Sequence, residues 1–490
     1  MPTERIPLTQ PIETRDGTLA KDSRSTNCVF ETRDQKREFV KRPGLVYCSQ
    51  VAAVTPPASL LSQGLVSFNN KIIAVVANTV YSVNPTTYAQ TTVGSTSVST
   101  GFCYFTKTTL DSNLFFHNKV NGYLYTSGGA YSSPATLPAG PYVAGTVFLD
   151  DYVFVGTATD NRIYNSDLGD PGTWDALNYV TFEQTADSLV AITKHLNYLV
   201  AFGKFSTQFY YDAGNATGSP LALAQSYSLE TGCATGDSIV STDNTVLWMG
   251  ATKTQGRSIY MLEGVSPVKV STNAIDKILD RDDLSKVAAY SYKFAGHTLY
   301  ILSLHASNVT LVYDINEKMW YQWTQYAIAS TGQPGAGTWI ESYFRPSFYA
   351  QVNSIPFVLD DDTATIYYLS TTTYQDNGQA IYCRSITDLS DNGSTKRKFF
   401  GRLEIVGDKT SGATLQVRHT GDDYNTWSSY RTVDLNASRS QIYLGGADRR
   451  RAWEFLVTSN TPLRLDGAEI DFRIGEMDQE QNVGGGRYRR

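Results

Sequence analysis

The chain has little of the chemistry that marks an enzyme or a metal protein. It contains no GxSxG, P-loop, HExxH or dinucleotide-binding fingerprint. Its few cysteines form no CxxC pair, so we expect them to be reduced and packed as small apolar side chains: Cys28, Cys48, Cys103, Cys233 and Cys383. Its few histidines have no His or Cys at ligand spacing, which disfavours a metal site: His117, His195, His297, His305 and His419. We therefore predict no catalytic, cofactor-binding or metal-binding residue, no cofactor and no enzymatic activity.

Long apolar runs and an excess of positive charge are also missing. No run of 18 apolar residues occurs, and the start MPTERIPLTQPIETRDG has no apolar core. We expect neither a membrane span nor a signal peptide, and a secretory route is disfavoured. Lys and Arg number 41 against 47 Asp and Glu, a formal charge of −6. That balance argues against tight, sequence-specific DNA binding, which uses a basic stripe, but it does not exclude DNA passing nearby.

What the chain does have is tyrosine, small polar residues and length. Aromatic residues make up 12% of the chain, with 32 Tyr, whereas charged residues make up only 18%. This mixture favours strands and turns over long solvated helices. A chain of 490 residues exceeds one ordinary core, so several domains or a repeat architecture is expected.

The segment 187–214 shows the unit from which the chain is built. An apolar run at 189–192 is followed by a polar turn at 194–197, which contains His195. A second apolar run covers 198–202, and an alternating one covers 205–211. Short apolar runs bounded by Gly, Asn and Asp are typical of tight antiparallel hairpins.

The same unit recurs along the chain. Copies are recognised at 64–83, 102–125, 143–164, 187–214, 237–260, 286–313 and 342–367. Their third strands end at Tyr81, Tyr125, Tyr164, Tyr210, Tyr260, Tyr313 and Tyr367. Successive tyrosines are about 39 to 54 residues apart, the range of four-stranded propeller blades. We predict an all-β protein with a β-propeller of six or seven blades. The alternative, a pair of β-sandwiches, would not require so regular a period.

Changes in composition predict four segments. Residues 1–57 are interpreted as an N-terminal arm and entry strand, and residues 58–385 as the propeller. Alternating strands predict a C-terminal all-β domain, a small sandwich, at 386–475. Residues 476–490 form a polar tail with a Gly run.

One segment departs from the strand pattern. Residues 271–287 place Ala274, Ile278 and Leu279 on one face of a short helix between two blades. Asn273 is the expected N-cap of that helix, and an acidic residue lies in its first turn.

Three motifs have both a functional and a structural interpretation. Residues 166–174 and 419–427 resemble the Asp-box turns of sialidase propellers, in which the Asp accepts backbone hydrogen bonds and a Trp packs beneath. Asp360-Asp361-Asp362 lacks the Gly and Glu of a calcium loop, so a solvated turn is favoured over a cation site. Arg449-Arg450-Arg451 is interpreted as a solvated turn before a strand, the alternative being contact with phosphate or an acidic partner.

A sialidase-like activity would need more than Asp-box turns. It requires an arginine cluster and a Tyr/Glu nucleophile pair across the ring centre, whereas Arg162 and Arg257 are the main arginines inside the blades. A glycan-binding or glycan-cleaving propeller therefore remains the alternative function.

The order of features resembles a known family, the packaged-DNA stabilisation proteins of short-tailed phages, also called tail hub or nozzle proteins. The similar elements are the turn LysArgProGlyLeu at 41–45, the unit at 187–214, AsnAlaIleAspLysIleLeu at 273–279 and the run at 452–472. The likeness spans residues 25–475 and rests on pattern, not on catalytic residues.

This resemblance implies a structural virion protein. Members form a homo-oligomeric ring, usually of six copies, beneath the portal and adaptor rings. They extend the channel for double-stranded DNA, contact that DNA without sequence specificity, help retain the packaged genome and conduct it at ejection. They also carry the tail plug or needle and the tailspikes or tail fibres. The expected location is the phage tail, with assembly in the host cytoplasm.

Overall fold

The structure is a computed structural model. It describes residues 3–33, 36–51, 62–182, 187–215, 217–254, 256–328, 339–443 and 445–475. The predicted polar tail at 476–490 and the Pro56-Pro57 end of the entry segment lie outside the described residues. The chain divides into two compact units. The first comprises Ile12–Thr18 and Arg42–Ile381, and the second comprises Met1–Pro11, Leu19–Lys41 and Tyr382–Arg490.

The larger unit is a propeller in which, over the described residues, seven antiparallel sheets follow one another along the chain. We number these sheets as blades 1 to 7. The strands of blade 1 are Ser62–Phe68, Lys71–Val76, Thr79–Val83 and Gln90–Ser95. Those of blade 2 are Tyr104–Lys107, Asn113–His117, Gly122–Thr126 and Tyr131–Ser132. Those of blade 3 are Val147–Leu149, Tyr152–Gly156, Arg162–Asp167 and Asp170–Thr181. Those of blade 4 are Leu189–His195, Tyr198–Gly203, Thr207–Asp212 and Leu221–Leu223.

The last three blades carry additions to the four-stranded pattern. In blade 5 two short strands share one partner: Gly232–Cys233 and Val240–Thr242 pair with Thr245–Ala251, followed by Ser258–Glu263 and Ser266–Lys269. Blade 6 has an added edge strand: Val287–Phe294, His297–Leu304, Val309–Asp314, Met319–Ile328 and then Trp339–Tyr343. Blade 7 combines strands from both ends of the unit: Pro346–Val352, Ile355–Asp360, Thr365–Ser370, Gly44–Gln50, Gln375–Asp376 and Gln379–Ala380. Short 3-10 turns lie at Thr109–Asp111, Gln225–Tyr227 and Gly236–Ser238.

Apolar packing between neighbouring blades holds the ring together. Phe202 and Phe209 of blade 4 pack with Trp248 of blade 5 in one buried cluster, and the rings of Phe202 and Trp248 lie 5.2 Å apart. Blade 7 packs on blade 1 in the same way, through Phe357 and Ile72, so the circle closes. Each sheet is apolar on both faces and is stable only between two others. The predicted all-β class and propeller are confirmed, and all seven predicted tyrosines lie on the third strands of their blades.

The turn residues fit the hairpins that they connect. Asn69 and Asn70 between the first two strands of blade 1 have φ of 48° and 54°. Such left-handed backbone matches the twist of a two-residue hairpin turn, and Asn tolerates it well. The predicted polar turn at 194–197 is partly wrong, because His195 is the last residue of its strand and is 2% exposed. The turn itself begins at Leu196.

The predicted helix between blades is present as Asn273–Arg281. Its buried face comprises Ala274, Ile275, Ile278 and Leu279. The predicted cap was wrong by one residue: the N-cap is Thr272, whose Oγ1 accepts a hydrogen bond from the Ile275 N–H. On the exposed side, Lys277 Nζ donates to the carbonyl oxygens of Thr14 and Arg15. The helix thereby holds the segment Ile12–Thr18 against the propeller unit.

The second unit is a sandwich of two sheets. One sheet has the order Cys28–Arg33, Lys36–Lys41, Arg464–Ile474, Lys398–Gly407 and Gln441–Tyr443, with Thr3–Ile6 and Ala447–Asp448 paired beside it. The other has the order Arg24–Thr26, Cys383–Ile386, Ala452–Val457, Thr414–Thr420 and Arg431–Asp434. Phe400 of the first sheet contacts Trp453 of the second with ring centres 6.0 Å apart. The predicted sandwich is confirmed, and the structure adds that the N-terminal arm supplies strands to both of its sheets.

Candidate functional site: the closed centre of the propeller

The propeller is closed by a strand from the beginning of its chain. Gly44–Gln50 runs antiparallel to Thr365–Ser370, and Gly44 lies opposite Ser370. A Cβ atom at Gly44 would lie 2.4 Å from the Gln375 carbonyl oxygen, so only glycine allows this close approach. The Pro-Gly turn noticed in the sequence therefore starts the strand that locks blade 7.

A buried ion pair fixes the start of this closing strand. The guanidinium of Arg42 is bound at both nitrogens by Asp376, at 3.0 Å to Oδ1 and 2.6 Å to Oδ2. It also donates to the carbonyl oxygen of Thr324 at 3.0 Å. The same group lies over the rings of Trp323 and Phe344. Arg42 is 0% exposed, so charge, hydrogen bonds and stacking all act out of water.

The inner strands surround a central cavity of about 440 Å³. All seven blades contribute to its lining, for example with Leu65, Phe105, Thr146, Thr193, Ser241, Tyr290 and Phe348. Tyr290 stacks on Tyr349 at 5.9 Å, and its buried hydroxyl has no hydrogen-bond partner among the described residues. The lining mixes aromatic rings with small hydroxyl-bearing side chains.

A hydrogen-bonded pair of titratable groups, Tyr104 and Asp237, lies at this centre. Tyr104 donates a short hydrogen bond to Asp237, whose other neighbour is Lys119 Nζ at 3.4 Å. Burial and the negative charge of Asp237 raise the pKa of Tyr104 well above its ordinary value, the opposite of what a tyrosine nucleophile needs. None of the described residues lining the cavity is an arginine. The geometry thus lacks the arginine cluster that a sialidase-like reaction would use.

Two residues of the acidic triplet are buried, which corrects the prediction of a solvated turn, whereas Asp362 is half-buried. Asp360 and Asp361 are 1% and 0% exposed. Asp361 Oδ2 is 2.8 Å from both Lys286 Nζ and His305 Nε2. Burial would raise the pKa of Asp361, but its contacts with His305 and Lys286 lower it below its ordinary value. Burial raises the pKa of Asp360 to about 6, and the nearby Arg345 limits that rise.

This network connects blades and has no visible reactive role. Lys286 and His305 flank the first two strands of blade 6, whereas Asp360 ends the second strand of blade 7 and Asp361 is the first residue after it. Asp360 Oδ1 accepts backbone hydrogen bonds from Asp362 and Thr363, both at 2.9 Å. Over the described ranges, no group of three or more His, Cys, Asp or Glu could hold a metal ion. The triplet therefore works as an ionic contact between sheets.

The histidines make hydrogen bonds and packing contacts within the fold. Burial lowers the pKa of His117 to about 4, and its Nε2 lies 2.9 Å from the Gly145 carbonyl oxygen of blade 3. His195 Nε2 contacts the Gly264 carbonyl oxygen of blade 5. His297 Nδ1 is 2.6 Å from Asp314. Burial and the charge of Arg451 lower the pKa of His419 to about 4. These contacts place most of the histidines in strand-to-strand or blade-to-blade packing.

Both Asp-box-like turns have the predicted carboxylate geometry, and the turn at 166–174 also has the predicted buried Trp, whereas Trp427 is half-buried. Asp170 accepts hydrogen bonds from the Gly172 N–H and the Thr173 hydroxyl, and Trp174 is 4% exposed beneath. Asp422 accepts from the Thr426 N–H at 2.9 Å. Hydrogen bonds from the side chain and backbone of Thr426 lower the pKa of Asp422 to about 2. Each turn is held by its own carboxylate.

The arginine triplet divides into two environments. Arg449 and Arg450 are exposed, as predicted for a solvated turn. For Arg451 the prediction was wrong: it is 1% exposed, donates to Asp448 and lies 3.8 Å from the ring centre of Phe400. The difference follows from position, because Arg451 immediately precedes the strand Ala452–Val457, in which every residue is buried. All five cysteines are buried thiols.

Arg42, Asp376 and the buried Asp361 contacts were not recognised in the sequence. Their partners are far away along the chain, so spacing gave no signal for them. The absence of catalytic, cofactor-binding and metal-binding residues, expected from the sequence, stays a prediction. None of the described helices is long and apolar enough to cross a membrane.

Comparison with known proteins gives one family and several distant folds. A family model described as "Bacteriophage P22 Gp10, beta-propeller" matches residues 35–374, more than half of the chain. No curated protein matches. Among solved structures, virginiamycin B lyase from Staphylococcus aureus is 11% identical with a TM-score of 0.41, covering 64% of this chain and 97% of that chain.

Two further structures are similarly distant. The Pan2 WD40 domain of Neurospora crassa is 11% identical with a TM-score of 0.42, covering 68% of this chain and 95% of that chain. BamB from Moraxella catarrhalis is 10% identical with a TM-score of 0.39, covering 68% of this chain and 98% of that chain. Similarity at this level says nothing about substrate or partner.

Proposed function

We propose a function from the premise that this chain belongs to the bacteriophage family described as "Bacteriophage P22 Gp10, beta-propeller". It is accordingly a phage structural protein of the tail and DNA-stabilisation class. We infer that copies of it form a ring, a tail hub or nozzle, that extends the DNA channel below the portal and adaptor. The family match is the observation that carries this proposal.

The size of the propeller's centre is consistent with a channel formed between copies. A duplex whose major groove alone is about 12 Å wide cannot pass through a cavity of about 440 Å³. DNA must therefore pass through the space that several copies enclose. In this proposal each propeller is a rigid wall element of that channel, and the ring has six copies.

The charge of the propeller suits a passage for DNA. The stretch Arg42–Ile381 contains 16 Lys and Arg against 25 Asp and Glu, a formal charge of −9 (16 − 25). An acidic wall repels phosphate and binds the duplex weakly, so the genome can slide during ejection. A strongly positive potential on the lumen of the assembled ring would contradict this part of the proposal.

The remaining partners follow from the place of such a ring in a tail. We propose that one face contacts the adaptor or portal ring, and that the assembly carries a plug or needle and tailspikes or tail fibres. The double-stranded DNA is contacted without sequence specificity. Assembly takes place in the host cytoplasm, and the mature location is the virion tail.

Imaging and mass measurement test the proposal directly. Native mass spectrometry of the purified chain should give one closed multiple of 54.1 kDa, and negative-stain images of tails should show the protein as a ring. Particles lacking the protein should lose packaged DNA, measured as nuclease-sensitive DNA, and complementation with the wild-type chain should restore retention. A soluble monomer that binds or hydrolyses glycans, and is absent from virions, would overturn the proposal in favour of the glycan alternative.

A further inference from the structure

One corner of the propeller exposes leucines among uncompensated aspartates. We call Leu110, Asp150, Asp151, Asp167 and Leu168 the acidic leucine surface. Leu110 is 96% exposed and Leu168 is 65% exposed, and the three aspartates are also exposed. None of these aspartates has a Lys or Arg ion-pair partner in the described part of the chain. Exposed leucines without polar cover are typical of an interaction surface.

Direct hydrogen bonds show that these residues are neighbours. Thr109 Oγ1, beside Leu110, donates to Asp151 Oδ1 at 2.7 Å. The Gly169 N–H, beside Leu168, donates to the Asp151 carbonyl oxygen at 2.9 Å. The turns of blades 2 and 3 are therefore joined, and they present both leucines together. Leu110 has a φ of 56°, a left-handed backbone that is uncommon for leucine.

The sandwich unit exposes a surface of opposite charge. We call Lys396, Arg397, Phe399 and Arg473 the basic aromatic surface. Phe399 is 54% exposed, and the three basic residues are also exposed. Phe399 pairs with Arg473 across two antiparallel strands, so the two side chains project from the same face of the sheet. Neither Arg397 nor Arg473 has a carboxylate partner among the described residues.

We propose that the acidic leucine surface of one copy binds the basic aromatic surface of a neighbouring copy. This inference rests on the proposed ring and assigns the contact that builds it. The two surfaces are complementary in two ways: both expose apolar side chains, and their unpaired charges are of opposite sign. A head-to-tail contact between two different surfaces generates a ring when the rotation closes. Nucleic acid would suit the basic surface alone and would leave the leucines in water.

Disulfide trapping tests the contact between separate copies. Leu168→Cys and Phe399→Cys are made in separate full-length chains, purified and mixed under mild oxidation. The native cysteines are buried and give little background. We expect a mixed disulfide between the two variants, formed at least tenfold faster than disulfides within either variant alone. Ile355→Cys, beside the first hairpin turn of blade 7 and 38% exposed, mixed with Phe399→Cys is the control and should stay unlinked.

Several results would overturn the inference. Equal linkage of the Ile355→Cys control, or faster linkage of Leu168→Cys to itself, would show another mode of contact. A ring by native mass without the mixed disulfide would refute this interface and leave the proposed function standing. The absence of any ring in tails would refute both.

Charge reversal provides a second, independent test. Asp150→Lys with Asp167→Lys should weaken self-association at low salt about tenfold, and Arg397→Glu with Arg473→Glu should do the same. Mixing the two reversed chains should restore heterotypic association, because the charges are again complementary. If the arginine variant loses binding to duplex DNA while self-association is unchanged, the basic surface serves nucleic acid and the inference is wrong.

Discussion

The buried pair of Arg42 and Asp376 allows the sharpest prediction about the fold. Asp376→Asn keeps the shape of the side chain but removes the charge that neutralises a guanidinium with 0% exposure. Breaking one partner of a buried pair costs about 3–5 kcal/mol, because the other charge is left without compensation. Arg42 would still donate to Thr324 and stack on Phe344. We therefore expect the lower end, about 3 kcal/mol, or about two orders of magnitude in the unfolding equilibrium.

Substituting Arg42, the partner of Asp376, should lower the free energy of unfolding further. Arg42→Ala leaves the Asp376 carboxylate buried and also removes the contacts with Trp323 and Phe344. We expect a loss of about 4–5 kcal/mol. Combining Arg42→Met with Asp376→Leu should recover most of it, because an apolar pair of similar volume removes the desolvation cost.

Guanidinium unfolding, followed by tryptophan fluorescence, measures these free energies, and the buried Trp323 reports on the site itself. Lys107→Ala is the control, since the Lys107–Asp111 pair at 3.2 Å is 36% and 44% exposed and should contribute less than about 0.5 kcal/mol. A loss below about 1 kcal/mol for Asp376→Asn would refute the view that this pair locks the ring.

Three further predictions concern titration and close packing. Burial lowers the pKa of His117 from 6.5 to about 4. Its neutral form therefore stabilises the fold above pH 6.5, and about 3 kcal/mol of the unfolding free energy is lost as pH falls to 4. His117→Gln should flatten this pH dependence of the unfolding free energy, and an unchanged slope would refute the assignment. Because burial raises the pKa of Asp360 from 3.8 to about 6, its ionised form is disfavoured in the fold. The unfolding free energy of Asp360→Asn relative to wild type should therefore rise by about 3 kcal/mol between pH 4 and 6, and a constant difference would contradict this. Gly232→Ala would place Cβ 2.3 Å from the backbone of residues 204 and 205 and should lower the unfolding free energy by about 3 kcal/mol. Gly128→Ala, with 3.8 Å from Cβ to its nearest atom, is the control and should change the unfolding free energy by under about 0.5 kcal/mol. Equal effects of the two substitutions would show that the crowding at Gly232 is relieved.

The repeating blades could be predicted because their signals are local. Each hairpin carries its own turn residues and apolar runs, and the tyrosines of successive third strands recur at blade spacing. Residues such as Asp150 and Asp151 mark turns whatever the rest of the chain does, because their backbone tolerates positive φ. Local chemistry of this kind is sufficient to place strands and hairpins and to limit the propeller to six or seven blades.

Burial of charge could not be predicted, because it depends on distant partners. Asp361 looks like part of a solvated acidic turn until Lys286 and His305, which lie more than fifty residues earlier, are placed beside it. Arg451 differs from its two neighbours only because Phe400 and Asp448 receive it. Charged side chains are usually exposed to solvent, and only their tertiary partners allow these two to be buried.

Closure of the ring is the feature that local sequence signals predict least well. Nothing in the sequence near Gly44–Gln50 distinguishes it from an entry strand, yet it completes blade 7 beside Thr365–Ser370. The contact that fixes it joins Arg42 to a residue 334 positions later. Because an open ring of sheets leaves the apolar faces of blades 1 and 7 exposed, this single non-local pairing decides whether all the other interfaces can form together. The stability of the wall that the proposed ring presents to DNA thus depends strongly on one buried pair.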